Sequence, residues 1–339
     1  MLLAQACRMG GDYSGEEKAL DTLLALQPRD LQGLLMRGDC HARAIDKRAA
    51  TSFYTMALQQ AANGPVPPGL IPDLQRAEAF LIEAKGDFGG QLERKLTEAG
   101  LGPGHRSARF EEAISLLKGE KQVFLQQPSS YFFPRLPHIQ FYEREEFTWL
   151  AELEAAAPEI RSELQAIVEE EGAFTPYVED VPNRPPTRHR MRGDPSWSAF
   201  HLWREGALVE ENAARCPRTI KALDKVPLPR IKGRSPMALF SLLRPGAHIA
   251  PHSGLLNTRL ICHLPLIVPP DCRLRVGNET RTWEEGKTLI FDDSIEHEAW
   301  NGSAETRVIL LFEIWRPEIT DDEKRALTTM FEAITEYSS

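Results

Sequence analysis

The feature that most constrains this chain is a series of short apolar runs between Ser235 and Trp315. SPMALFSLLRPG, TRLICHLPLIV, CRLRVGNETRTW, KTLIFDD and TRVILLFEIW follow one another, separated by Gly, Asn, Asp and Pro. Runs of this length between turn formers read as strands. Five of them within about eighty residues predict an all-β sandwich or jelly-roll barrel. The region opens at Tyr131 with YFFPRLP and carries one helical stretch at about 143–171. Its last segment, Thr320 to Tyr337, reads as an amphipathic helix opened by Thr320 and two aspartates.

The first 120 residues differ in kind. They are rich in Ala, Leu and Gln and poor in β-branched residues, which favours helices. A repeat recurs at 34-residue spacing, the period of the tetratricopeptide helix pair. With Gly38 as the small residue of a first helix, Ala50, Tyr54, Ala57 and Leu58 take the second-helix positions. One period earlier stand Ala4, Leu20, Leu23 and Leu24, with Pro28 closing the repeat. A generic helical bundle fits any one of these pairs equally well. NGPVPPGLIP breaks the pattern, and further helices are expected at 73–84, 90–99 and 107–118. The predicted fold class is α+β multidomain: a helical, tetratricopeptide-like region over 1–120, then a jelly-roll domain over 121–339.

Composition narrows the function classes. The net charge of −9 argues against general nucleic-acid or anionic-membrane binding, which needs a basic surface. Five scattered cysteines with no C-x-x-C pair fit a reducing compartment. The first twenty residues do not read as a signal peptide, and no run approaches the ~20 apolar residues of a membrane span. A cytoplasmic chain is therefore expected.

Among nine histidines, His248 and His252 are four apart, but Pro245, Gly246 and Pro251 forbid the helix that a zinc pair would need. The informative elements are H-S-G at 252–254 and H-E-A-W at 297–300, 45 positions apart and both beside strand-like runs. Two such histidines match the layout of a non-haem iron oxygenase, whose metal keeps open positions for dioxygen and co-substrate. The usual facial triad has a carboxylate two residues after the first histidine; here that residue is Gly254. On spacing alone, an ordinary turn histidine fits either position as well.

Arg307 strengthens the case. Counting across an Asn301-Gly302 turn places it beside His297 on a neighbouring strand. A guanidinium leading an apolar strand needs a carboxylate, either from 2-oxoglutarate or from an internal Asp or Glu. Alternation puts Arg259, Ile261 and His263 on one face of their strand. Asp292 and Asp293 precede His297 and read either as partners orienting an imidazole or as turn caps.

PHSGLLNTRLICHLPL, RVGNETRTWEEGKTLIFDDSIEHEAWN and RVILLFEIWRPE together resemble the aspartyl/asparaginyl β-hydroxylase family over Tyr131 to Glu318. The resemblance implies a double-stranded β-helix (cupin-like) catalytic domain that uses Fe(II), 2-oxoglutarate and O2. It implies His252 and His297 as iron ligands, with glycine normal at position 254. For the co-substrate it implies Trp203, Ser241, His263 and Arg307, with Ser241 and Arg307 on the distal carboxylate and His263 on the carboxylate near iron. Arg259 matches a substrate-side arginine, while Ile261 replaces a second arginine of the animal members. The segment 174–195 departs from them as well. The implied reaction hydroxylates an unactivated C–H, with Cβ of an Asp or Asn in a peptide, protein or carrier-tethered amino acid as the leading substrate. A lipid acyl chain, a proline or another small molecule is the alternative. Competing readings are a halogenating relative, a cupin-type metal isomerase, and a non-catalytic tetratricopeptide interaction protein with a degenerate barrel.

Overall fold

A computed structural model describes residues 1–179 and 191–338 and divides into two compact units, Met1–Lys121 and Gln122–Ser339. Residues 180–190, the centre of the divergent 174–195 segment, lie outside the described residues.

The first unit is helical: α1 (Leu2–Met9), α2 (Tyr13–Leu26), α3 (Leu31–Arg43), α4 (Lys47–Ala62), α5 (Ile71–Glu98) and α6 (Ala108–Leu117). Asp12, Asp30 and Asp46 cap α2, α3 and α4 through their carboxylates, satisfying amides that a helix start leaves unpaired. The helix pair repeats at the 34-residue spacing, since α2 begins at Tyr13 and α4 at Lys47. Ala4, Leu20, Ala50, Tyr54 and Ala57 are all buried. Gly38 shows why the small position matters: a Cβ there would lie 2.5 Å from the Tyr54 ring. Gly38→Ala is therefore expected to lower stability by roughly 1–3 kcal/mol, the usual cost of overpacking, measurable by urea titration of the chain. One expectation fails. The predicted break between 84 and 90 is absent, and α5 runs unbroken through Gly86, Gly89 and Gly90. Glycine disfavours a helix by only ~1 kcal/mol per residue and, unlike proline, removes no hydrogen bond.

The second unit contains two sheets. Its strands are β1 (Phe141–Tyr142), β2 (Thr175–Pro176), β3 (Trp197–Arg204), β4 (Ala207–Leu208), β5 (Ala238–Leu243), β6 (His248–His252), β7 (Arg259–Ile267), β8 (Cys272–Val276), β9 (Glu279–Thr282), β10 (Leu289–Phe291), β11 (His297–Asn301) and β12 (Arg307–Trp315). The larger sheet has the order β1-β10-β7-β12-β5-β3-β2, with β4 on β3; the smaller has the order β6-β11-β8-β9. In place of one helix over 143–171 there are two, α7 (Leu150–Ala155) and α8 (Ala157–Val168), the second opened by Pro158. With α9 (Glu210–Arg215) and α10 (Pro217–Leu223) they pack on the outer face of the larger sheet, while α11 (Asp321–Ser338) is the last element. A capping box between Thr320 and Glu323 starts α11 as expected.

The near-continuous apolarity of β7 and β12 follows from burial on both faces. Leu260, Cys262, Leu264, Val308, Leu310 and Phe312 pack outward with α7, α8 and α10. Ile261, Ile309 and Leu311 point into the space between the sheets, where Leu274 and Ala299 of the smaller sheet meet them. Every polar residue of these strands (Arg259, His263, Arg307, Glu313) therefore has inward parity.

The strand pairing corrects the Asn301-Gly302 hairpin. β11 pairs with β6 and β8, whereas β12 pairs with β5 and β7, so the two belong to different sheets. Asn301 is buried, and its side-chain amide donates to the carbonyls of Leu243, Arg244 and Glu305. That bonding turns the chain from one sheet into the other rather than back along the same one. Arg307 still reaches the cavity, but from the opposite wall.

Candidate active site

Antiparallel pairing of β6 and β11 sets His252 directly opposite His297, with ring centroids 4.2 Å apart. His252 Nδ1 lies 2.9 Å from the Ala250 carbonyl and His297 Nδ1 lies 3.0 Å from that of Ile295. A carbonyl can only accept, so Nδ1 of each ring carries a proton, which leaves Nε2 as the ligating atom of the neutral imidazole. Backbone carbonyls thus set the imidazole tautomers, and neither Asp292 nor Asp293 orients a ring through its carboxylate. Burial, then the neighbouring His252, push the His297 pKa down to about 3, so the ring stays neutral and ready to ligate.

Among the described residues, no third His, Cys, Asp or Glu completes a three-residue metal cluster. Gly254 explains the missing carboxylate sterically. A Cβ there would lie 2.0 Å from Asp293 Oδ2, and the Gly254 amide already donates to the Asp293 carbonyl at 2.6 Å. Any side chain at position 254 would have to displace a buried aspartate. Gly254→Ala is accordingly expected to destabilise by roughly 1–3 kcal/mol, read as a lowered Tm. An unchanged Tm would show that Asp293 yields without cost.

Opposite the histidine pair lies an apolar-walled cavity of about 470 Å³ whose lining includes Ser241, Arg259, His263 and Arg307. Arg307 is 1% exposed, and its Nε and Nη1 have no hydrogen-bond partner among the described residues. Its guanidinium lies over Trp283, 5.0 Å from the ring centroid. Burial lowers its pKa to about 10, as expected for a cation with no counter-charge among the described residues. Ser241 stands opposite Ile309 on the next strand, making Arg307 its diagonal neighbour on the inner face. His263 packs edge-on against Phe291 at 4.9 Å, and Phe291 in turn contacts His297 at 5.4 Å. Burial, then Arg307, hold the His263 pKa well below its ordinary value, so this ring too is neutral.

Two expected residues stand elsewhere or in other company. Trp203 does not line the cavity; it is buried in the helix-covered core with Phe200 and Leu202. A register shift between His201 and Trp203 resets the alternation of β3, as a bulge does. The tryptophan that faces the cavity is Trp197, whose Nε1 donates to Ser241 Oγ at 3.2 Å and whose ring stacks on Tyr177 at 4.0 Å. Arg259 does line the cavity, but it is hydrogen-bonded to the fully buried Glu313 and lies 3.8 Å from Asp293. In the residue order Glu313 reads as one charge in a long apolar strand. Its parity with Arg307 was the available signal.

Residues 154–317 match the aspartyl/asparaginyl beta-hydroxylase family. Mouse aspartate beta-hydroxylase domain-containing protein 2 is 32% identical over 244 residues, covering 70% of this chain and 67% of that protein. The chain belongs to the aspartyl/asparaginyl β-hydroxylase family. Human aspartyl/asparaginyl beta-hydroxylase is 40% identical over 171 residues, half of this chain and 21% of the human protein. The chain therefore spans about a fifth of that relative's length. The ornithine lipid ester-linked acyl 2-hydroxylase of Rhizobium tropici is 37% identical over 188 residues, covering 55% of this chain and 63% of that protein. Within this hydroxylase family, the match spans the histidine pair, Ser241, Arg259, His263, Asp293 and Arg307. No helix among the described residues is long and apolar enough to cross a membrane.

Proposed function

We propose that this member of the β-hydroxylase family is an Fe(II)- and 2-oxoglutarate-dependent dioxygenase that hydroxylates an unactivated C–H bond. The observation that carries this reading is Arg307, a buried guanidinium with no hydrogen-bond partner for Nε or Nη1 among the described residues, in the cavity that also holds two facing imidazoles. A dicarboxylate satisfies both halves of the arrangement: one carboxylate neutralises Arg307, and the other end supplies oxygen donors to a metal that has only two protein ligands. His252 and His297 hold the iron through Nε2. Arg307 binds the distal carboxylate and Ser241 donates its hydroxyl to it, held in place by Trp197. His263 offers Nδ1, which has no partner among the described residues, to the carboxylate near the metal. When bound, the iron supplies the oxidation: one atom of O2 enters the substrate, while the other enters succinate as CO2 leaves. The apolar wall keeps bulk water from the site.

The substrate is an Asp or Asn side chain in a peptide, protein or carrier-tethered amino acid, hydroxylated at Cβ. A second reading, an aliphatic chain, draws on Ile261 in the cavity wall. The helical unit, read as tetratricopeptide repeats, offers a surface for a peptide-bearing partner. Expected under anaerobic conditions is a visible charge-transfer band when Fe(II) and 2-oxoglutarate are added together. His297→Ala should weaken it, whereas His248→Ala should not, because His248 bonds Glu298 at 2.8 Å and stacks on Trp300. No band from well-folded wild-type protein would sink the proposal.

A further inference from the structure

The first unit carries a groove of about 910 Å³ between α4 and α5. Its α4 wall is Lys47, Arg48, Thr51 and Ser52, two pairs four residues apart and so on one helix face. Across the groove, Lys85 and Arg94 of α5 also line it. Four cations thus meet a single lining carboxylate, Asp87, in a chain whose net charge is −9. Two of the four are engaged. Lys47 is salt-bridged to Asp87, with Glu83 nearby but outside the lining. The Lys85 ammonium donates to the Gly119 carbonyl at 3.1 Å and lies near Glu120. Arg48 and Arg94 are exposed and pair with no carboxylate among the described residues. Lys47, and at longer range Arg94, hold the Asp87 carboxyl below its ordinary value, so the one lining acid is charged and already matched.

The floor between these charges is bare backbone. Gly86 and Gly90 stand four apart on α5, and both line the groove. A Cβ at Gly86 would meet nothing within 4 Å, and one at Gly90 only Arg94 Nη1, at 3.6 Å. Gly38, by contrast, is required by the Tyr54 ring packed on it. Glycine inside a helix is destabilising relative to alanine. These two positions therefore give up stability where the unit itself has room for side chains. What they provide is a strip of helix backbone that another chain can approach closely. Phe88, 47% exposed, borders the strip and offers an apolar surface beside the charges.

We propose that this groove docks an extended acidic peptide segment, with its carboxylates on Arg48 and Arg94 and an apolar side chain against Phe88. Each guanidinium presents a planar fork of donors that matches a carboxylate. The glycine floor lets the peptide backbone lie close to α5, between the two arginines. A nucleic-acid strand or an anionic membrane repeats its charge well beyond one groove and calls for a continuous basic track. A short patch of positive charge within an acidic chain fits a short acidic segment instead. The groove lies wholly within the first unit, so the docking is independent of the chemistry proposed for the second.

Fluorescence anisotropy on the full chain tests this with two labelled heptapeptides. One carries four glutamates around a central leucine, and the other has glutamine in their place. At about 50 mM salt the glutamate peptide is expected to bind at least tenfold more tightly, a preference that fades as salt rises. Arg48→Glu and Arg94→Glu should each weaken it about fivefold or more, and together should remove the preference. Gly86→Leu, for which the groove has room, should keep or raise Tm and still weaken the peptide, a result that misfolding could not give. Arg29→Glu, at an exposed arginine outside the groove, should change affinity less than about twofold. Equal binding of the two peptides, or an equal loss from Arg29→Glu, would overturn the proposal. So would tighter binding of a single-stranded oligonucleotide or of anionic vesicles through the same two arginines. The charge-transfer band with Fe(II) and 2-oxoglutarate should be unchanged in these variants, so the groove and the proposed function fail or stand separately.

Discussion

If Arg307 binds 2-oxoglutarate as proposed, replacing it with methionine is expected to weaken that binding sharply and, at the same time, to make the ligand-free protein more stable. The two effects share one cause. A guanidinium taken out of water loses hydration worth several kcal/mol, and only a well-placed counter-charge returns it. Arg307 is 1% exposed, two of its nitrogens lack partners among the described residues, and its counterweight is the face of Trp283. A cation–π contact is worth about 0.5–2 kcal/mol, too little to offset the burial. Methionine fills a similar volume with no charge, so unfolding free energy should rise by roughly 1–3 kcal/mol. Affinity for 2-oxoglutarate should fall roughly thirtyfold to several thousandfold, because losing one partner of a buried charge pair costs about 2–5 kcal/mol. Arg307→Lys should fall between, retaining the charge but losing the planar fork that matches a carboxylate. Thermal melts without ligand and calorimetry with 2-oxoglutarate read the two effects separately. A lowered Tm with unchanged affinity would show that Arg307 is a structural residue.

Arg316→Met is expected to do the opposite, destabilising the second unit by about 3–5 kcal/mol. Arg316 and Asp292 are both fully buried and 2.7 Å apart. Arg316 also donates to the Pro137 carbonyl at 2.8 Å and to the Tyr142 hydroxyl. Asp292 accepts from Gln126 at 2.6 Å and from the amide and hydroxyl of Ser294 at 3.0 and 2.5 Å. Removing the cation leaves a buried carboxylate that must protonate or draw in water. The Asp292–Ser294 turn leads directly into β11, so loosening it should also shift His297 and weaken metal binding. A urea titration showing less than ~1 kcal/mol of change would contradict this account, since that is the scale of an exposed ion pair. Two arginines of equal burial thus carry opposite predicted signs. What differs is whether the protein itself supplies the partners.

Much of this was legible in the residue order. Strand-like runs between turn formers predicted the sheets, because an inner and an outer face impose a period of two that survives in β7 and β12. Gly38 and Tyr54 carried the helical repeat, since a ring packed on a backbone admits no Cβ. His252, His297, His263 and Arg307 stand out in the residue order and Ser241 follows from the family resemblance; the structure brings all five to one cavity. What the residue order did not determine was which neighbour each strand pairs with and where alternation resets. The bulge in β3 exchanges Trp203 for Trp197, and the buried Asn301 sends β12 into the other sheet. Arg259 reads as an available cation until Glu313 and Asp293 are seen beside it, from 54 positions later on β12 and from the turn before β11. Local pattern follows from each residue's own backbone and side-chain preferences, so sequence alone determines it. Register and charge balance depend on partners distant in the chain, and only the closed tertiary structure decides those.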